Sequence, residues 1–218
     1  MSHLVTEVEK VISLSRYKTM DYQQAWQLQR ALHADVVKGV LENTLVLLEH
    51  PSVYTAGRRT EEFERPVDGT DVIDVDRGGR ITWHGPGQLV GYPIIKLSEP
   101  TEVVGFVREI ESALINVCVE LGIKAVRVEG RSGVWVVDSQ GDRKIAAIGV
   151  RVAKGVTMHG FALNVNPDLK AYDKIVACGI RDAQVTSLQR ELQREISVDE
   201  ITNSVEAHIL NSLRKVCL

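Results

Sequence analysis

The chain has 218 residues, a formal net charge of -3 and 5% aromatic residues. Its length suits a single domain, residues 1–218, with a proper core, while its charge and aromatic content supply neither the basic stripe nor the stacking platforms of a nucleic-acid surface. No run is apolar enough to span a bilayer, and residues 1–10 carry neither a secretory apolar centre nor an arginine-rich leader pattern. A cytoplasmic protein without nucleic-acid or membrane partners is expected.

A short N-terminal strand is followed by a helix that Asp21 caps, with Gln24 at the third position. Tyr22, Ala25, Trp26, Leu32 and Val36 fall on its inner face, and Gly39 ends it. Thr44 to Leu48 reads as a buried strand, and Val72 to Val75 as another leading into the run Arg77 to Pro93. That run holds five glycines and two prolines. They serve equally well as hairpin turns or as backbone against which a ligand lies. Trp83-His84 before the kink and Gln88 after it favour the ligand-facing loop, but name no ligand.

Leu89 to Leu97 continues the sheet. Val103, Val107, Ile110, Leu114, Val117 and Leu121 recur at helical spacing up to Gly122, which puts Cys118 in or beside a core helix. Three β-rich runs follow, Val134 to Val137, Lys144 to Val152 and Val156 to Val165, the first two joined by the polar turn Asp138 to Arg143. They form an antiparallel meander. A short stretch from Pro167 leads to Val176 to Ile180, and Ser197 with Glu200 announces a last helix whose stripe runs from Val198 to Val216. Meanders with flanking helices indicate an α+β fold, a mixed sheet covered by helices, rather than alternating βαβ units. Cys217 reads as filler or as part of a frayed end.

Three cysteines without a Cys-x-x-Cys pair, and six scattered histidines, give no support to a disulfide framework or a metal site. Cys178 is the candidate nucleophile, because Gly179 and the polar Arg181-Asp182 place it in an irregular segment. A free thiol is only a few per cent ionised at neutral pH and needs a cation, a base or a helix N-terminus beside it. Lys144, which opens an otherwise apolar strand, is the candidate partner, acting through its charge or as a neutral amine base; the residues alone leave both open. His84 and His159 each occur as His-Gly at a kink and are candidates to orient a substrate or supply a hydrogen bond.

The segments Arg77-Gly-Gly-Arg-Ile-Thr-Trp-His-Gly-Pro-Gly-Gln, Gly133-Val-Trp-Val, Lys144-Ile-Ala-Ala-Ile-Gly, Met158-His-Gly-Phe-Ala-Leu-Asn-Val and Cys178-Gly-Ile, in that order, closely resemble the lipoyl(octanoyl) transferase family. Glu49-His-Pro-Ser-Val-Tyr-Thr-Ala-Gly matches a further segment upstream, so the resemblance runs from about Tyr22 to past Cys178. It implies a fold shared with lipoate and biotin protein ligases and a two-step acyl transfer without a cofactor. The thiol matching Cys178 takes octanoate from octanoyl-acyl carrier protein. The amine of a lysine on a lipoyl domain, as in 2-oxoacid dehydrogenase E2 subunits and the glycine cleavage H protein, then takes the acyl group as an amide. By the same matching Lys144 lowers the pKa of the thiol. Arg77, Gly78, Gly79, Arg80, Ile81, Thr82, Trp83 and His84, with Ala147, Ile148, Gly149, Gly160, Phe161 and Ala162, would line the acyl site, with His159 in support. The chain departs from the family's common pattern at Ala177, where Pro is usual, and at Trp83, where Tyr is usual. An ATP-dependent lipoate or biotin ligase is the nearest alternative, and a non-catalytic lipoyl-domain or acyl-chain binder the alternative of another class.

Overall fold

The computed structural model describes residues 12–175 and 184–218; Ala177, Cys178 and the rest of the expected segment Val176 to Ile180 lie outside them. The chain opens with β1 (Ile12–Thr19), α1 (Tyr22–Lys38) and β2 (Asn43–Glu49). Asp21 caps α1 by accepting hydrogen bonds from the N–H groups of Gln23 and Gln24, and Gly39 closes it in the left-handed conformation that glycine adopts at least cost. The helix thus carries the chain from β1 to β2 as parallel neighbours. Next come β3 (Val53–Ala56), β4 (Val72–Asp74), β5 (Thr82–His84) and β6 (Gln88–Ile94). After α2 (Val103–Glu120) the meander follows: β7 (Ala125–Val128), β8 (Arg131–Asp138), β9 (Gly141–Ala153) and β10 (Val156–Asn164). Beyond a 3-10 turn at Leu169–Lys174 lie β11 (Gln184–Val185), α3 (Leu188–Leu192) and α4 (Val198–Leu213).

The main sheet runs β1-β2-β6-β10-β9-β8-β7, with β11 added to β9. Alternation along its strands separates two cores. Leu89, Phe161 and Leu163 face α2 and α4, packing with Phe106, Ile110, Leu114, Val205 and Ile209. Val90, Tyr92 and Ala162 face α1, packing with Ala25 and Val36. Both faces of the central strands are therefore covered, which is why β10 is buried along its whole length.

Several expectations needed revision. The strand at Val72 does not join the main sheet but belongs to a second, three-stranded sheet, β4-β3-β5. The turn between Asp138 and Arg143 is only two residues long, because the β8–β9 ladder extends to the pair Asp138 and Gly141. The strand from Leu89 stops at Ile94; beyond it Thr157 takes over, its Oγ1 accepting from the Ile95 N–H and its own N–H donating to the Ile95 carbonyl. Cys118, by contrast, lies in the core helix as expected: it is buried in α2, where desolvation pushes its thiol up to about 12. Cys217 is no frayed end: it is fully buried and bridges Leu97.

Candidate active site

A cavity of about 360 Å³ opens where the small sheet and the Arg77–Thr82 loop lie over β9 and β10. Its floor is made of Ala147, Ile148 and Gly149 from β9 with Gly160, Phe161 and Ala162 from β10, cross-strand neighbours in the ladder. Small residues are needed there. A Cβ on Gly149 would stand 3.1 Å from both the Arg77 Cδ and the Gly78 carbonyl oxygen, so a larger residue would press against the loop. The space suits a slender apolar chain with a polar head.

The roof is held by buried charges rather than by apolar packing. Arg77 donates to the carbonyls of Gly78 (3.1 Å), Arg80 (2.8 Å) and Thr55 (2.8 Å) and to the Thr55 hydroxyl (2.9 Å), tying its own loop to β3. The rigid fork of a guanidinium allows one side chain to satisfy backbone oxygens in several directions. Arg80 reaches the fully buried carboxylate of Glu64 at 2.7 Å, and Gly78 donates its N–H to the Val150 carbonyl on β9. The loop is thereby braced to both sheets.

Hydrogen-bond direction fixes the state of His84. Asn164 donates through Nδ2 to the Thr186 carbonyl, so its Oδ1 must accept, and Gln88 Nε2 donates to it at 2.8 Å. The Gln88 Oε1 is then an acceptor for His84 Nδ1–H at 2.7 Å, which leaves His84 Nε2 as the lone-pair nitrogen. Burial holds this imidazole neutral, its pKa lowered to about 3. Tyr22 stacks on His84 with ring centroids 5.9 Å apart, and its own hydroxyl is raised to about 12 by burial. Behind them, His50 donates from Nδ1 to the Met20 carbonyl and accepts at Nε2 from the Tyr92 hydroxyl.

On the same wall, His159 donates from Nε2 to Asp76 at 2.7 Å, and Asp76 also pairs with Arg151. Burial lowers the His159 pKa to about 4, so this ring too is neutral at ordinary pH. Asp76 stays ionised: burial works against its charge, but the His159 hydrogen bond and Arg151 outweigh that. His159 is held at φ +58°, a left-handed conformation uncommon for a residue with a side chain, while its N–H donates to Gln29 of α1. Lys144 enters from β9, its Nζ lying 4.5 Å from the centre of the fully buried Trp135 ring.

The structure thus brings Arg77, Gly79, Arg80, Ile81, Thr82, His84, Lys144, Ala147, Ile148, Gly149, His159, Gly160, Phe161 and Ala162 around one cavity. Two others stand apart. Gly78 braces the loop against β9, and Trp83 turns away to pack on Tyr172 and donate to Ser52, its ring lying where a Cβ of Gly85 would be. Cys178 lies outside the described residues. Sequence reasoning missed Tyr22, Tyr92, Arg59 and Arg131, which also line the cavity. Tyr22 and Tyr92 read simply as apolar positions of a helix and a strand, while Arg59 sits in a turn and Arg131 at the start of β8, where arginine is unremarkable. Among the described residues there is no cluster of His, Cys, Asp and Glu that would hold a metal ion, and no helix is long and apolar enough to cross a membrane.

Residues 21–210 match the lipoyl protein ligase A/B catalytic domain family. The chain is 58% identical over 207 residues to an octanoyltransferase of Salinispora arenicola, a match covering 94% of this chain and 97% of the relative. Among solved structures, the bipartite lipoate protein ligase of Thermoplasma acidophilum superposes with a TM-score of 0.69 at 18% identity, covering 92% of this chain and 83% of the other. A biotin protein ligase from Aquifex aeolicus gives a TM-score of 0.53 at 12% identity, covering 93% and 69%. At these identities the two structures speak for the fold.

Proposed function

This chain belongs to the lipoyl protein ligase A/B catalytic domain family and is an acyltransferase acting in octanoyl transfer for protein lipoylation, and we propose that it does so through a thioester on Cys178, assisted by Lys144. The observation that carries this reading is Lys144 itself, which lines a cavity whose floor is glycine, alanine and apolar side chains. Cys178 stands six positions before Gln184, and β11, which begins there, pairs Val185 with Lys144.

In the first step the Cys178 thiolate attacks the thioester carbonyl of octanoyl-acyl carrier protein. A new carbon–sulfur bond forms, the carrier's thiolate leaves and takes a proton, and the octanoyl chain stays on Cys178. In the second, the neutral ε-amine of a lipoyl-domain lysine attacks the acyl-enzyme, the Cys178 thiolate is expelled, and the amine nitrogen loses a proton as the amide forms. The 2-oxoacid dehydrogenase E2 subunits and the glycine cleavage H protein supply such acceptors. Lys144 contributes positive charge where the thiolate is made and released. Exchange of one thioester for another is nearly isoenergetic and aminolysis is downhill, so the cycle runs without nucleotide. The whole cycle belongs to a single domain working in the cytoplasm.

Intact-mass measurement after incubation with octanoyl-acyl carrier protein tests this. The wild type should gain one octanoyl group that hydroxylamine removes and that a lipoyl domain discharges without ATP. Cys178→Ala should gain none. An adduct that persists in Cys178→Ala would assign the nucleophile elsewhere, and turnover that requires ATP would make the chain a ligase.

A further inference from the structure

Lys144 faces the cavity only because the β8–β9 ladder is irregular beside it. Val134 pairs with Ala146 and Trp135 pairs with Lys144, so one step along β8 is matched by two along β9. This is a bulge. Its effect is visible in the packing: Ile145 and Ala146, neighbours in sequence, both enter the core beneath α2 and α4. Strict alternation would have placed Lys144 with Ala146 and Ile148 on that apolar side. With the extra residue it shares a face with Ala147 and Gly149 instead and reaches the cavity.

Gly133 accommodates the irregularity. It adopts φ +107°, and a Cβ on it would stand 2.4 Å from the Ala146 carbonyl oxygen, within the bulge itself. Its N–H is taken at 2.9 Å by Glu111 of α2, a fully buried carboxylate that Arg108 and Arg127 neutralise. Trp135, the direct ladder partner of Lys144, offers its ring face to the Lys144 ammonium, a contact whose attraction grows as water is excluded. On the other side of β9 the Thr186 N–H donates to the Lys144 carbonyl at 2.9 Å.

We propose that the β8–β9 bulge, seated on Gly133, and the face of Trp135 together position the Lys144 ammonium, making Gly133 and Trp135 positioning residues for acyl transfer. The inference rests on the role given to Lys144 above. Neither residue lines the cavity. Both act through the lysine: Gly133 by allowing the backbone turn that re-aims it, Trp135 by holding its head group.

The experiment is the rate of iodoacetamide alkylation at the Cys178 peptide as a function of pH, read by mass spectrometry. The proteins are the wild type, Lys144→Ala, Gly133→Ala, Trp135→Phe, Trp135→Leu and the double variant Lys144→Ala/Trp135→Leu. Circular dichroism checks that each is folded. Lys144→Ala should slow alkylation at pH 7 by about tenfold, the equivalent of one pKa unit. Gly133→Ala and Trp135→Leu should each show most of that slowing, and Trp135→Phe, which keeps a ring face, should stay within about threefold of wild type. The double variant should be no slower than Lys144→Ala, since a residue acting through Lys144 has nothing to act on once it is gone. Wild-type curves for Gly133→Ala and Trp135→Leu, beside a slowed Lys144→Ala, would overturn the positioning role and leave the lysine's role intact. Slowing that adds to that of Lys144→Ala would overturn it as well, and a wild-type curve for Lys144→Ala would remove both. If Gly133→Ala does not fold, the Trp135 variants and the double variant decide.

Discussion

His84 and Gln88 are 2.7 Å apart, and the direction of their hydrogen bond is set at the far end of a relay, by a Thr186 carbonyl that can only accept. One backbone oxygen therefore determines which nitrogen of a buried imidazole is free. Gln88→Glu breaks the relay, because a carboxylate cannot donate to Asn164 or to the Tyr172 hydroxyl that Gln88 also reaches. The variant should be less stable by about 1–3 kcal/mol through buried groups left unpaired. A carboxylate beside the ring also favours the imidazolium, so the His84 pKa should rise from about 3. Proton NMR titration of the histidine ring reads this directly, and an unmoved titration would show that residue 88 does not stand against the His84 ring.

Acid should destabilise the fold at mild pH. His50, His84 and His159 all have pKa values lowered by burial, so the unfolded chain binds protons at these sites at pH values where the native state does not. Stability then rises with pH and is lost as pH falls below the unfolded value of about 6.5. The loss continues down to about 4 for His159 and about 3 for His84. Each uncompensated proton amounts to about 1.4 kcal/mol per pH unit. Urea midpoints measured from pH 7.5 to 5 should fall over that range, and the fall should be shallower in His84→Asn. A flat profile would contradict the buried neutral state of these rings.

Arg77→Lys and Arg80→Lys should differ sharply. A lysine at 77 has one ammonium in place of a fork that reaches Gly78, Arg80 and Thr55, so buried carbonyl oxygens lose their donors. A cost of about 1–3 kcal/mol and at least a tenfold loss of octanoyl transfer are expected. Arg80→Lys keeps a charge for Glu64 and should lose much less. Thermal melts and transfer rates measured together check this. Equal losses in the two variants would mean that the loop is not hung from Arg77.

Periodicity made most of the fold legible. The stripes of α1, α2 and α4 and the long apolar runs of β2, β6, β9 and β10 are statements about which faces must be buried, and burial is what shaped them. The three-stranded sheet was not legible, since Val53–Ala56 and Thr82–His84 are too short to show alternation and the latter sits among glycines. Most of the cavity lining was legible as a set of residues, through the family resemblance, but not as an arrangement. Lys144 looked like the first residue of an apolar strand, and only the bulge opposite Trp135 decides which face it takes. Trp83, adjacent to His84 and read with it, points elsewhere because neighbours in a strand face opposite ways.

The cavity lining also takes in Val90 and Tyr92 of β6, which pairs with β10 so that Gly91 meets Phe161 and Val90 meets Ala162, residues about 70 positions apart along the chain. A Cβ on Gly91 would fall within the Phe161 ring, so this contact must close tightly. Everything from β1 to β6 can pair locally, as can β7 to β10, yet neither half alone encloses the cavity. Contacts between distant segments are slow to form because loop entropy must be overcome first. The cavity therefore comes into being only when the two halves dock: the β6–β10 ladder, the Gly78–Val150 hydrogen bond and the Asp76 pairs with His159 and Arg151 all close at that step, so two separately expressed halves should form it together or not at all.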